Sequence, residues 1–153
     1  MFPARATTPH TAYALLSDGT VWTWGDNTLG ELGSGTQPSS SDTPVRVRGL
    51  DHIVAISAGS ESAYALDRAG NVSAWGDGAL GQLGDASAAN SDVPVLVHKL
   101  SHVVKIAVGG NMAYALDRAG NLWAWGYGAY GQLGNGAVVS PDSPTRVIGF
   151  RKR

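Results

Sequence analysis

Apolar positions come in short bursts separated by Gly, Asp, Asn and Pro; in the middle of the chain PVRVRGL, HIVAISAG, SAYALDRAGN and VSAWGDGALGQLG follow one another. The bursts are rich in Val, Ile, Ala and aromatic residues, which suits strands. No window of about eleven residues keeps a 3.6-residue apolar spacing free of an interrupting Gly or Pro, so helices are not expected. Tyr64-Ala65-Leu66 runs through Asp67-Arg68-Ala69-Gly70-Asn71 into Val72-Ser73-Ala74-Trp75, two strands joined by a glycine-bearing turn. Ser17-Asp18-Gly19-Thr20 and Arg118-Ala119-Gly120-Asn121 have the same form, so each is a predicted hairpin.

The bursts recur. The Trp-Gly pair stands at Trp24-Gly25, Trp75-Gly76 and Trp125-Gly126, at steps of 51 and 50; Tyr13, Tyr64 and Tyr114 keep those steps, and Pro44, Pro94 and Pro144 are 50 apart. About four strands per repeat, with both faces apolar or small, describe a blade of a β-propeller. The predicted fold is therefore all-β, with blades of four antiparallel strands and about three blades in the chain. The alanine-rich strand (Ala12, Ala14, Ala63, Ala65, Ala113, Ala115) suits a close approach of neighbouring sheets, and Trp24, Trp75 and Trp125 are large enough to fill the gaps between them. Trp22 and Trp123 share a strand face with Trp24 and Trp125 and are expected to pack between blades as well. Dividing the chain at the prolines gives one repeat domain over 1–153: a partial blade over about 1–40, blades over 44–90 and 94–140, and the opening strand of a further copy at 144–150.

On these residues the chain resembles the regulator of chromosome condensation repeat family. The resemblance rests on Ala58-Gly59, Ala65-Leu66, Gly70-Asn71-Val72, Trp75-Gly76 and Gly81-Gln82-Leu83-Gly84, with Gly109, Ala115-Leu116, Gly120-Asn121-Leu122, Trp125-Gly126 and Gly131-Gln132-Leu133-Gly134 one repeat on. The first copy is looser, with Glu31 in Gly30-Glu31-Leu32-Gly33 and Thr8 at the position of Gly59. Where the family often has histidine, this chain has Thr11, Ser62 and Met112, which weakens any role that depends on that ring. The resemblance implies a ring of about seven blades, and propellers in general need about four to eight. Three blades do not close a ring. Two arrangements follow: head-to-tail association, two chains giving six blades, or a segment of a larger array.

Charge narrows the function classes. Lys plus Arg is 11 against Asp plus Glu 12, a formal net charge of -1, so no excess points to nucleic acid or to a membrane surface. Arg151-Lys152-Arg153 reads as a small solvated basic tail. The absence of cysteine excludes disulfides, thiol nucleophiles and Cys-ligated metals. With no membrane-length apolar run and no signal-peptide pattern, the expected location is cytoplasmic.

Candidate chemistry is sparse. Gly76, Gly78 and Gly81 form G-x-G-x-x-G, as do Gly126, Gly128 and Gly131, but no helical pattern follows to meet a phosphate and the first copy has Asn27 at the middle position. These glycines read as turn residues, with Gly and Asn alternating where a left-handed backbone is needed. His98 and His102 have H-x-x-x-H spacing but lie in a strand link, and His10 and His52 have no serine-and-acid setting. No catalytic, cofactor-binding or metal-binding residue is expected. Trp24, Gly25, Gly30, Gly33, Trp75, Gly76, Gly81, Gly84, Trp125, Gly126, Gly131 and Gly134 are assigned to the structural repeat. Positions that differ between copies inside this frame are free to recognise a protein partner: His10, Asp26, Glu61, Asp77, Asn111, Tyr127 and Tyr130, the two tyrosines foremost. The expected function is a non-catalytic protein-interaction scaffold. The resemblance also implies an alternative, a regulator of an enzyme, acting as a guanine-nucleotide exchange factor or as a proteinaceous inhibitor.

Overall fold

The computed structural model describes residues 4–7, 10–36 and 39–150. The first sheet is built in chain order from β1 (Ala4–Thr7), β2 (Thr11–Leu15), β3 (Val21–Asp26) and β4 (Ser40–Arg46). The second holds β5 (Ile53–Ala58), β6 (Ser62–Asp67), β7 (Val72–Gly76) and β8 (Ser91–Leu96), and the third holds β9 (Val103–Gly109), β10 (Met112–Asp117), β11 (Leu122–Gly126) and β12 (Thr145–Arg146). Every pairing is antiparallel. The first strands β1, β5 and β9 lie side by side, so the sheets fan out from a common edge as propeller blades do.

The predicted hairpins form. Gly19, Gly70 and Gly120 take φ of 82°, 91° and 86° and donate back to Leu16, Asp67 and Asp117. In the second and third turns the Asp side chain also accepts the N–H of Asn71 or Asn121 at 2.9 Å.

The division into blades differs from the proline-based one. The strand carrying Pro44 is the fourth strand of the first sheet, pairing Arg46 with Trp22 and Val45 with Thr23. Thr145–Arg146 likewise completes the third sheet against Trp123 and Ala124 and opens no further copy. The first sheet thus has four strands where a partial blade was expected. Chain connectivity supplies the reason: Ser39 lies back beside the end of β3, its carbonyl taking the Asn27 N–H at 2.8 Å, whereas the step to the next sheet is a tight link. In those links Gly49 and His52 take φ of 71° and 53°, and Lys99 and His102 take 58° and 52°.

The core lies between sheets. One cluster joins Tyr13, Leu15, Val21 and Val47 of the first blade to Ala63, Ala65 and Trp75 of the second. Another joins Tyr64, Leu66, Val72 and Leu83 to Ala113, Ala115 and Trp125. Small alanines let the sheets approach, and each indole fills what remains; Trp75 and Trp125 are fully buried. Burying such a ring contributes on the order of 3 kcal/mol. Trp22 and Trp123 are only half-buried and turn their N–H groups to the hairpin end, to Thr20 Oγ1 and Asp117 Oδ2, each at 3.1 Å.

Candidate protein-binding face

In an antiparallel blade the turn between its first two strands and the loop between its last two come out at the same end. All seven residues singled out from the sequence lie at that end: His10, Glu61 and Asn111 between the first and second strands, and Asp26, Asp77, Tyr127 and Tyr130 at or just beyond the third. The backbone joins six of them in pairs, one pair per blade. Asp26 N–H donates to the His10 carbonyl at 2.9 Å, Asp77 N–H to the Glu61 carbonyl at 2.9 Å, and Tyr127 N–H to the Asn111 carbonyl at 2.8 Å. The Trp-Gly glycine makes this approach possible. A Cβ at Gly25, Gly76 or Gly126 would stand 2.2, 2.4 or 2.4 Å from that same carbonyl, and all three have positive φ.

Tyr127 and Tyr130 meet edge to face, with centroids 6.0 Å apart and planes at 74°, and Tyr130 is 84% exposed. The Tyr130 loop is braced from below, its N–H on Gln132 Oε1 at 2.8 Å. The second blade repeats the brace with Leu80 N–H on Gln82 Oε1 at 2.8 Å, and there Gln82 Nε2 also donates to Asp77 Oδ2 at 2.9 Å. In the first blade Glu31 accepts the Leu29 N–H at 2.8 Å, but a carboxylate has no proton to give Asp26. Burial, with the neighbouring charges of Asp26 and Glu61, raises the Glu31 carboxyl above its ordinary value. Asp26 itself is held low, chiefly by the Thr28 hydroxyl 2.6 Å away.

Sequence reasoning missed that bases are kept away from the loop end while acids occur at both ends. The loop end carries Asp26, Glu31, Glu61, Asp77, Asp85 and Asp142, and among the described residues its turns and loops carry no Lys or Arg. Arg46, Arg68, Lys99, Arg118 and Arg146 lie at the opposite end, together with Asp18, Asp51, Asp67 and Asp117, and Arg48 lies against Gly35 of the loop between β3 and β4. A net charge near zero concealed this polarity; the signal lay in the order of acids and bases within each repeat.

The middle glycines of G-x-G-x-x-G have a different cause from the one expected. Gly78 and Gly128 are not left-handed; a Cβ there would fall 2.0 and 2.1 Å from the Ala89 and Val139 carbonyls. Asn27 fits because the first copy has one more residue between its tryptophan and proline, and its side chain takes the Leu32 N–H at 3.0 Å and donates to the Thr36 carbonyl at 3.3 Å. His98 and His102 are both exposed in the link between β8 and β9, and His52 is exposed in the preceding link. No group of three or more His, Asp or Glu that could hold a metal occurs among the described residues. Among those residues, too, no helix is long and apolar enough to cross a membrane. Thr8 and the basic Arg151-Lys152-Arg153 lie outside the described residues.

Three four-stranded sheets, stacked by tryptophans that reach into the turn of the preceding sheet, define a tandem-repeat β-propeller protein. The chain belongs to the regulator of chromosome condensation (RCC1) repeat family, whose description matches residues 18–66, 69–116 and 119–153. It is 42% identical over 73 residues to the human probable E3 ubiquitin-protein ligase HERC3, a stretch covering 46% of this chain and 7% of that protein. Human protein RCC2 is 39% identical over 77 residues, 48% of this chain and 15% of that protein. Among solved structures, yeast RCC1 (Prp20) bound to Kap60 superposes with a TM-score of 0.85 at 21% identity, over 94% of this chain and 36% of that one. Human WBSCR16 superposes at 0.81 with 25% identity, over 94% and 39%. The chain therefore spans a small part of these curated relatives and well under half of the solved propellers.

Proposed function

We propose that the chain is a non-catalytic scaffold that holds a protein partner on the loop end of its blades and associates head to tail with a second copy, two chains making six blades. The observation that carries the first part is the gathering of the variable residues at one end, paired across each blade and capped by the exposed Tyr130 against a half-buried Tyr127. An exposed aromatic side chain on a braced loop provides contact area at low entropic cost. The charge of that end favours a partner presenting Lys and Arg, with association that weakens as salt rises. Among propellers of this fold, yeast RCC1 has been crystallised with Kap60, and Prp20p was characterised for binding to Gsp1p and histones, which supports protein binding as the common use. The chain acts in the aqueous phase, with the cytoplasm as its compartment.

The test compares partners co-purified from the source cell by the wild-type chain and by a Tyr127→Ala/Tyr130→Ala variant. The scaffold reading expects a partner retained by the first and lost by the second, with retention falling as salt is raised. An unchanged set of partners would refute the assignment to this face.

A further inference from the structure

The two junctions inside the chain are built alike. At the first, Trp75 meets Tyr13 edge to face at 6.1 Å, donates its indole N–H to the Glu31 carbonyl at 2.9 Å and lies against Gly33, where a Cβ would come within 2.8 Å of the ring. At the second, Trp125 meets Tyr64 at 6.3 Å, donates to the Gln82 carbonyl at 2.9 Å and lies against Gly84 at the same 2.8 Å. Each junction joins a socket on one sheet (a tyrosine, a turn carbonyl and a glycine) to a plug on the next (the alanine strand and its tryptophan).

The third sheet repeats the socket with Tyr114, Gln132 and Gly134, and the first sheet repeats the plug with Ala12, Ala14 and Trp24. Among the described residues both surfaces are less covered than their counterparts, although Ala14 is only 8% exposed. Gly134 is exposed where Gly33 and Gly84 are buried, and Gln132 is half-buried where Glu31 and Gln82 are 2% and 0% exposed. Trp24 is half-buried where Trp75 and Trp125 are fully buried. Phe150, 47% exposed, stands one repeat beyond Leu100 and two beyond Leu50, which is buried in the first junction.

We infer that Trp24 of one copy docks in the socket of a second, its indole N–H on the Gln132 carbonyl and its ring against Gly134 and Tyr114. This rests on the head-to-tail reading and gives it an atomic form. The occupant is a second copy because the socket calls for a sheet with an alanine strand beside a Trp-Gly strand, and the first sheet of this chain presents such a surface. Two equivalent contacts of this kind close a two-fold ring.

Sedimentation velocity over micromolar concentrations tests it. The wild-type chain should run at twice 15.8 kDa. Trp24→Ala removes the plug, and Gly134→Asn obstructs the socket with a residue that tolerates the left-handed backbone there, φ +62°. Each variant alone should dimerise roughly 30-fold or more weaker, the effect of losing a buried tryptophan anchor. A one-to-one mixture should form a heterodimer tighter than either variant's own dimer and weaker than the wild-type dimer, since Trp24 of the Gly134→Asn copy meets the open Gly134 of the Trp24→Ala copy in one intact contact while both substitutions fall together on the other contact. Far-UV circular dichroism verifies that each variant is folded; if Trp24→Ala is not, Trp24→Phe keeps a ring and removes the N–H. A dimer insensitive to both substitutions overturns this docking geometry but leaves self-association standing, and a monomeric wild-type chain overturns both. Partner capture by the loop tyrosines reads out separately.

Discussion

Replacing Glu31 by Gln should make the protein more stable, by an amount the second blade supplies. There, Gln82 spans the loop: Oε1 takes the Leu80 N–H at 2.8 Å and Nε2 gives a proton to Asp77 Oδ2 at 2.9 Å. Glu31 keeps the first contact, with Leu29, and in place of the second sets a buried carboxylate near Asp26. Restoring one charge-assisted hydrogen bond, net of desolvation, is worth about 1.5 kcal/mol, and the loss of a buried charge acts in the same direction. We expect Glu31→Gln to gain about 1–2 kcal/mol at pH 7, or about 2–8 °C in melting temperature for a chain of this length. The pH dependence has a definite sign. The Glu31 carboxyl is raised above 4.5 in the folded state, so the fold binds that proton more tightly than the unfolded chain does. Wild-type stability therefore carries the full penalty above the raised value and sheds it as pH falls toward 4.5, where a protonated Glu31 can itself donate to Asp26. Urea unfolding of both proteins at one fixed concentration, at pH 7 and at pH 5, measures the difference. Equal midpoints at pH 7, or a gap that does not narrow on acidification, would refute the reasoning.

Gly84→Ala should cost about 2–4 kcal/mol in urea unfolding, because its Cβ would strike the Trp125 indole and its φ is +68°. Trp125→Ala should cost about 3–5 kcal/mol by the same assay, leaving a cavity between the second and third sheets. Lys99 holds the left-handed position that Gly49 and Gly149 occupy in the other links, so Lys99→Gly should be neutral or gain up to about 1 kcal/mol in thermal melts, whereas Lys99→Val should lose stability. Tyr130→Ala, at a side chain 84% exposed, should leave the melting temperature within about 1 °C while reducing partner retention.

The fold was legible because two periods coincide in the chain, the alternation of each strand and the step of 50 or 51 residues that returns Tyr, Trp-Gly and Pro. What a period does not contain is where one unit stops. Pro44 looks like the start of a copy because proline punctuates a sequence, yet β4 pairs with β3, since Ser39 lies back beside the end of β3, whereas the link after Val47 leads on to the next sheet. The grouping of the variable positions at one end follows from strand alternation and could be read from the chain. Their pairing could not, because it runs through the carbonyls of His10, Glu61 and Asn111, and a main-chain acceptor leaves no trace in the identity of its own residue. The trace falls instead on the glycine that must make room for it.

That displacement accounts for the turn Gly-Gln-Leu-Gly and for the single place where a copy departs from it. In the second blade the first glycine, Gly81, is approached by Pro141 and Asp142 of the following sheet, and the last, Gly84, by the Trp125 indole. Leu83 is fully buried. The Gln82 carbonyl accepts both the Tyr64 hydroxyl, at 2.5 Å, and the Trp125 N–H, at 2.9 Å. The demands on the two glycines and the Trp125 contact to the Gln82 carbonyl act on the backbone or on the lack of a side chain and come from the neighbouring blade, whereas the Tyr64 contact and the amide of Gln82 serve their own blade. A substitution at the glutamine position can therefore keep the junction while weakening the brace, and Glu31 does this: its carbonyl still holds Trp75 at 2.9 Å. Glycine at either end has no such latitude, because any side chain there would occupy the space of the next blade. The last glycine of the turn is the floor on which the next tryptophan rests, and Gly134 presents that floor exposed.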